Sequence, residues 1–83
     1  MKIFDFSKLR GRIKEKLGYD SVFAEKIETS AASLSSKLNN KSDFTASEIY
    51  RATEPDVLDI PVNEIGEYFF KEKLELNSRI NLN

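Results

Sequence analysis

The sequence predicts an all-α fold, a bundle of five short helices that contains a helix-turn-helix at about residues 20 to 40. Apolar residues recur at helical spacing in several stretches, one helix start has a clear capping sequence, and the links are short. The chain has 83 residues, of which 40% are hydrophobic, and this supports a single core. We therefore predict one domain over residues 1–70 and an extended C-terminal tail over residues 71–83.

The first predicted helix has an apolar stripe and two end signals. Leu9, Ile13 and Leu17 recur every four residues and form the buried face, while lysines and arginines occupy the other faces. Asp5 is the predicted N-cap, because Phe4 before it would then be placed for a hydrophobic staple with Leu9. Gly18 is predicted to end the helix in a left-handed conformation.

Two short helices follow, joined by a tight turn. Asp20 or Ser21 is predicted to cap the second helix, which ends near Glu28. Ser30 is predicted to cap the third helix after a turn at Thr29. The small Ala24 lies where the two helices would cross, which is the spacing of a DNA-binding helix-turn-helix. The inward side chains are Phe23, Ala24 and Ile27 in the second helix and Leu34 and Leu38 in the third.

The fourth helix has the clearest start in the chain. Residues 45–48, Thr-Ala-Ser-Glu, form a capping box, with Phe44 and Ile49 in the positions of a hydrophobic staple. Pro55 is predicted to close this helix, and Pro61 falls in the first turn of a fifth. The predicted apolar face of the fifth helix contains Val62, Ile65 and Phe69.

The last residues change from a helical to an alternating pattern. From Phe70 onward every odd-numbered residue is polar, and the even positions include Leu74, Leu76, Ile80 and Leu82. This period is typical of a half-buried strand, which needs a pairing partner. One interpretation is that the tail pairs with its copy in a homodimer. The other is a frayed terminus, since chain ends are often disordered.

The composition excludes several classes of protein. Cys and His are both missing, which removes disulfides, the usual zinc and haem ligands, and the commonest nucleophile and base. The acidic residues lack the spacing of a metal loop, and the three glycines form no phosphate loop. We predict a protein that is not an enzyme and that needs no cofactor. No apolar run approaches the roughly 20 residues of a membrane span, so we expect a cytoplasmic protein.

Charge is distributed unevenly along the chain, although the net charge is only -1. Residues 1–41 contain nine Lys or Arg and five acids, whereas residues 42–83 contain four and nine. This asymmetry favours a basic nucleic-acid-binding face in the first half. The alternative is that the charges are scattered over a solvated surface.

The outward face of the third helix is the candidate contact surface for the major groove of DNA. Small Ala and Ser side chains let a helix approach base edges, Asn39 can form two hydrogen bonds with an adenine, and Lys37 and Lys41 suit phosphates. Alternatively, Ser and Ala are merely tolerated on a solvated helix. The predicted DNA-binding residues are Ser30, Ala31, Ala32, Ser35, Ser36, Lys37, Asn39, Asn40 and Lys41.

Five stretches of the chain, taken in their order and spacing, also match a known pattern. They are residues 4–11, 23–25, 34–42, 47–49 and 65–70. They resemble small phage-encoded proteins of the Cro repressor family, within the lambda-repressor-like helix-turn-helix group. The resemblance implies a regulator of the lytic–lysogenic switch that acts on phage operators.

Three residues depart from the usual pattern of that wider group. Glu28 stands where Gly is usual in the turn, Asp20 stands where Gln is favoured, and Lys37 takes an inward position of the recognition helix. A left-handed Glu28 would cost roughly 1 kcal/mol. Asp20 would bring a negative charge towards the phosphates. Weaker DNA binding is the expected consequence.

Two functions are therefore compatible with the sequence. The first is a Cro-like transcription regulator that binds double-stranded operator DNA as a homodimer, with half-sites about 10 base pairs apart. The second is a protein-binding modulator or anti-repressor with a degenerate helix-turn-helix, which docks on another repressor protein through its apolar tail or acidic half. The basic first half favours the first function, and the low net charge favours the second.

Overall fold

The computed structural model describes residues 3–73, which contain five α-helices and one 3-10 turn around a shared core. The helices are α1 (Ser7–Lys16), α2 (Asp20–Lys26), α3 (Ala31–Leu38), α4 (Ala46–Ala52) and α5 (Ile65–Phe69), and the 3-10 turn Val62–Glu64 leads directly into α5. The predicted all-helical bundle is confirmed for this part of the chain. Residues 74–83, which form most of the predicted tail, lie outside the described residues.

The core contains the inward faces predicted for the first three helices. Fully buried side chains such as these each contribute roughly 1.5 to 3 kcal/mol relative to an exposed position. The first helices are therefore held mainly by their apolar stripes. The largest wholly buried side chains are Leu9 and Ile13 of α1, Phe23 of α2, Leu34 of α3, and Leu58 of the segment after α4.

The segment between α4 and α5 contributes core side chains that the sequence analysis did not predict. Val57, Leu58 and Ile60 are buried there. Arg12 of α1 holds the segment in place, because its guanidinium donates hydrogen bonds to the carbonyls of Leu58 (2.8 Å) and Asp59 (2.9 Å). The segment has neither a helical nor an alternating period, so the pattern gave no reason to expect its burial.

The start of α1 differs from the prediction by one residue, whereas its end does not. The N-cap is Phe6 rather than Asp5. The Asp5 carboxylate still accepts hydrogen bonds from the hydroxyl (2.7 Å) and the amide (2.9 Å) of Ser7, and these bonds lower its pKa. Gly18 follows the helix at φ +87°, which confirms the predicted left-handed ending.

Two further predictions were wrong, one about the start of α2 and one about the buried face of the fifth helix. The N-cap of α2 is Tyr19, so Asp20 is the first residue of the helix and neither it nor Ser21 caps it. Val62 was predicted on the buried face, but it is 69% exposed because it lies in the 3-10 turn before α5. Tyr68, which was not predicted in the core, is buried instead. In contrast, the capping box of α4 at Thr45 is present as predicted.

The first and last described residues pair with each other. The Asp5 amide donates to the Lys71 carbonyl, and the Lys73 amide to the Ile3 carbonyl, both at 2.7 Å, on either side of an antiparallel bridge. The beginning of the predicted tail therefore pairs within its own chain. The apolar row predicted to pair in a dimer lies in residues 74–83, outside the described part. Within residues 3–73, no helix has the length and apolar character needed to cross a membrane.

Candidate functional site

The helix-turn-helix consists of α2, a tight turn and α3. Glu28 has φ +61° in this turn, and the next amide, that of Thr29, donates to the Ala24 carbonyl at 2.9 Å. This is a helix ending that normally favours Gly, and Glu28 adopts it at a cost of roughly 1 kcal/mol. Ser30 caps α3 as predicted, because its hydroxyl accepts a hydrogen bond from the Ser33 amide at 3.0 Å.

The inner side of the motif is apolar and fully packed. Ala24, Ile27 and Leu34 are buried where α2 and α3 meet, as the sequence predicted. The methyl side chain of Ala24 leaves room for the two helices to approach closely. This packing turns the opposite side of α3 towards solvent.

The outer face of α3 is built from small, uncharged side chains. Six of the nine predicted contact residues are exposed, and Ser36 is half-buried. Lys41, just beyond the helix, is the one exposed cation among the nine. The face has the shape expected for close contact, but little positive charge. The exposed residues are Ser30, Ala31, Ala32, Ser35, Asn39 and Lys41.

Lys37 is not available for the phosphate contact predicted for it. It is buried, and its ammonium donates a hydrogen bond of 2.5 Å to a carboxylate oxygen of Glu48 in α4. The other oxygen of Glu48 accepts from the Thr45 amide in the capping box. Burial raises the pKa of Glu48, but the hydrogen bonds from Lys37 and Thr45 and the Lys37 charge outweigh it, so its pKa lies below 4.5. Lys37 therefore links α3 to α4.

Asn40, another predicted DNA-binding residue, makes a structural contact that was not predicted. It has φ +61° and ends α3, which suits Asn better than most residues. Its side-chain carbonyl accepts from the Phe4 amide (2.9 Å), and its side-chain amino group donates to the Phe4 carbonyl (3.0 Å). Both polar ends of the side chain are thus engaged, and Asn40 holds the N-terminal segment against the end of α3.

Arg10 is a neighbour of the candidate face that the sequence analysis did not single out. From α1 its guanidinium donates to the Leu38 carbonyl (3.2 Å) and to the side-chain oxygen of Asn39 (3.4 Å). The amino group of Asn39 lies 3.5 Å from the Ser35 hydroxyl. Arg10 therefore brings a positive charge to the C-terminal end of α3 and orients the Asn39 amide. No local sequence signal connects residues 28 positions apart.

Three exposed acidic side chains, those of Asp20, Glu25 and Glu28, lie on the motif itself. Asp20 is exposed at the first position of α2, and it is not occupied in capping because Tyr19 is the N-cap. Glu28 in the turn has a side chain that is 78% exposed. Negative charge at these positions weakens attraction to phosphates.

An open groove of about 690 Å³ separates the turn of the motif from α4. Arg51 of α4 spans it, because its guanidinium donates to the Lys26 carbonyl at the end of α2 (3.2 Å) and to Glu54 (3.1 Å). The same guanidinium lies 3.9 Å from Glu28. Tyr50 is 72% exposed beside it. This groove was not predictable from the sequence, because its lining residues come from two separate segments, the end of α2 with its turn and α4.

These features define a small helix-turn-helix domain in which the outer face of α3 carries mostly small, uncharged side chains. The family model described as "Protein of unknown function (DUF739)" matches residues 2–72, and the chain belongs to this family. A search of the curated proteins found no match.

A solved structure is also similar to this chain. It is the solution structure of the modulator of repression (MOR) of the temperate bacteriophage TP901-1 from Lactococcus lactis, with 36% sequence identity and a TM-score of 0.68. The match covers 87% of this chain and 95% of that one. The similarity supports a phage regulatory role for this chain, while membership of the Cro family is not confirmed.

Proposed function

We propose that this chain is a phage regulator of repression that acts by binding a repressor protein. The observation that carries the proposal is the 36% identity, over almost the whole length of both chains, to a phage modulator of repression. In this proposal the protein is a non-enzymatic regulator in the cytoplasm of the bacterial host. It changes the activity of the repressor through direct contact.

The charges of the motif favour a protein partner over DNA phosphates. Lys37 is neutralised inside the molecule by Glu48, which leaves Lys41 as the exposed cation among the predicted contact residues. Asp20 and Glu28 add exposed negative charge to the same motif. A DNA-binding surface normally needs several cations, because phosphate contacts supply most of the affinity. A protein interface has no such requirement.

The second candidate function is operator binding by a Cro-like homodimer, and the outer face of α3 favours it. Ala31, Ala32 and Ser35 are exposed and small enough for close approach to base edges. Asn39 is exposed beside them, and Arg10 and Lys41 bring positive charge to the end of the helix. Two copies would double the contacts and read half-sites about 10 base pairs apart.

Two titrations of the full chain test these functions. In the first, the purified repressor encoded by the same phage is titrated by calorimetry, and we expect a saturable complex. In the second, a random duplex at low salt is titrated in a retardation gel, and we expect weak binding or none. A protein that binds the duplex tightly and shows no heat with the repressor would replace the proposal with the second candidate.

A further inference from the structure

The groove between the turn of the helix-turn-helix and α4 has no role in the candidate DNA contact. We propose that it is a docking surface for a segment of the repressor that presents an apolar side chain beside a lysine or arginine. This inference rests on the proposed function, since it names the surface of this chain that binds the repressor. The residues that carry it are Ile27, Glu28, Ser47, Tyr50, Arg51 and Glu54, which all line the groove.

The apolar part of the groove comes from one buried and one exposed side chain. Ile27 belongs to the hydrophobic core and also lines the groove. Tyr50 is 72% exposed and stands beside it on α4. A large aromatic ring with one polar end is the type of side chain that most often dominates the energy of a protein interface. An apolar side chain of the partner would pack against the Tyr50 ring, since Ile27 is only 2% exposed.

The charged part of the groove is negative. Arg51 is bound at 3.1 Å to Glu54 and at 3.2 Å to the Lys26 carbonyl, but it lies 3.9 Å from Glu28. The Glu28 carboxylate therefore keeps most of its exposure and most of its capacity to accept hydrogen bonds. Arg51 is thus shared between Glu54, three residues further along the chain, and Glu28 on the opposite side of the groove. These two carboxylates exceed the one positive charge between them, which is complementary to a cation on the partner.

The backbone at Glu28 points to the same conclusion. Its φ of +61° is a conformation that Gly adopts without strain, and the side chain gains little in return within this chain. A strained residue whose side chain makes only one long, exposed ion pair is a reason to look for a further function of that side chain. A contact between the Glu28 carboxylate and a partner supplies one.

A repressor has the required chemistry because a protein that binds operator phosphates exposes lysine and arginine. DNA lacks it, since phosphates are repelled by the Glu28 and Glu54 carboxylates. The repressor is therefore the occupant that the charges favour.

Calorimetric titration of the purified repressor into the full chain tests the proposal with three groove variants. Glu28→Gln removes the charge, Glu28→Gly removes the charge together with the backbone strain, and Tyr50→Ala removes the ring. The matched controls are Glu67→Gln, another exposed carboxylate beside a cation, and Tyr19→Ala, another exposed tyrosine. Circular dichroism melts of all five variants show whether each one folds.

We expect each groove variant to weaken the complex by about tenfold or more, and each control to change it by less than about twofold. Higher salt should weaken the wild-type complex more than the Glu28→Gln complex. Glu28→Gly should melt no lower than the wild type, so its loss of binding cannot be a loss of folding.

Three results would overturn the proposal. If the repressor binds the wild type and all five variants equally, the groove is not the surface, although the proposed function stands. If the repressor does not bind the wild type, the proposed function fails and the docking surface with it. If Tyr50→Ala breaks a dimer in sedimentation and leaves repressor binding intact, the occupant is a second copy of this chain.

Discussion

Two ion pairs join the helix-turn-helix to α4, and they differ in distance and in burial. Lys37 and Glu48 are 2.5 Å apart with side chains only 9% and 11% exposed, whereas Arg51 and Glu28 are 3.9 Å apart with side chains 45% and 78% exposed. A buried pair is costly to break, while water screens an exposed one to almost nothing. The inner pair therefore holds α3 in place, and the outer pair leaves the Glu28 carboxylate exposed.

The largest expected effect comes from the apolar side of the motif. Leu34→Ala should lower the free energy of unfolding by about 2 to 5 kcal/mol, because it leaves a cavity in place of a side chain that is only 1% exposed. Urea denaturation measures the loss. The control is Ser35→Ala on the outer face of α3, which should change stability by less than about 0.5 kcal/mol. Equal stability of the two variants would show that α3 presents the opposite face to the core.

Breaking the inner ion pair should have the next largest effect. Lys37→Met keeps the length of the side chain but leaves the Glu48 carboxylate without its cation, and we expect a loss of about 3 kcal/mol. This is the lower end of the usual range, because the Thr45 amide remains bonded to Glu48. Lys41→Met is the matched control at an exposed position and should be close to neutral. If the two variants unfold at the same urea concentration, the inner pair does not support the fold.

The inner pair also predicts a pH dependence. The pKa of Glu48 is lowered in the folded protein, so its contribution to stability is present above its ordinary value of 4.5 and is lost as the pH falls through the lower folded value. The difference in unfolding free energy between wild type and Glu48→Gln should thus shrink as the pH falls from 6 to about 3. A constant difference across a series of urea melts would mean that the Glu48 charge is not coupled to folding.

The smallest expected effect is at the outer pair. Glu28→Gln should change the free energy of unfolding by less than about 1 kcal/mol, since the ion pair is long and exposed. The same urea melts used for Lys37→Met measure it. A loss comparable to that of Lys37→Met would mean that the outer pair is structural, and it would remove the distinction between the two pairs.

Features with a local signal were predictable from the sequence. The capping box at Thr45, the cap at Ser30 and the ending at Gly18 depend on residues within one or two turns, and all three are present. The inward faces of the helix-turn-helix follow from helical spacing and are also present. The predicted starts of α1 and α2 differ from the observed ones by one or two residues, because neighbouring residues can each serve as a cap.

The contacts at the candidate site that were not predicted have a common cause, which is packing between distant parts of the chain. Lys37 has the residue type of a phosphate contact, but α4 places Glu48 against it. Asn40 was predicted as one of the DNA-binding residues, but its side chain is hydrogen-bonded to the backbone of Phe4. Neither partner lies on the same helix as the residue that it engages. The groove around Tyr50 and the burial of Leu58 likewise arise from packing between elements, and no periodicity in the sequence predicts either of them.

Footprinting of an operator fragment tests the central claim most directly, which is that this chain acts on a repressor and not on DNA alone. The purified repressor of the same phage is titrated onto the fragment with and without this protein, and the protein is also added alone. We predict that the protein alone protects no bases and that it shifts the repressor concentration needed for half protection. Full protection of the operator by the protein alone, with no effect on the repressor, would contradict the account.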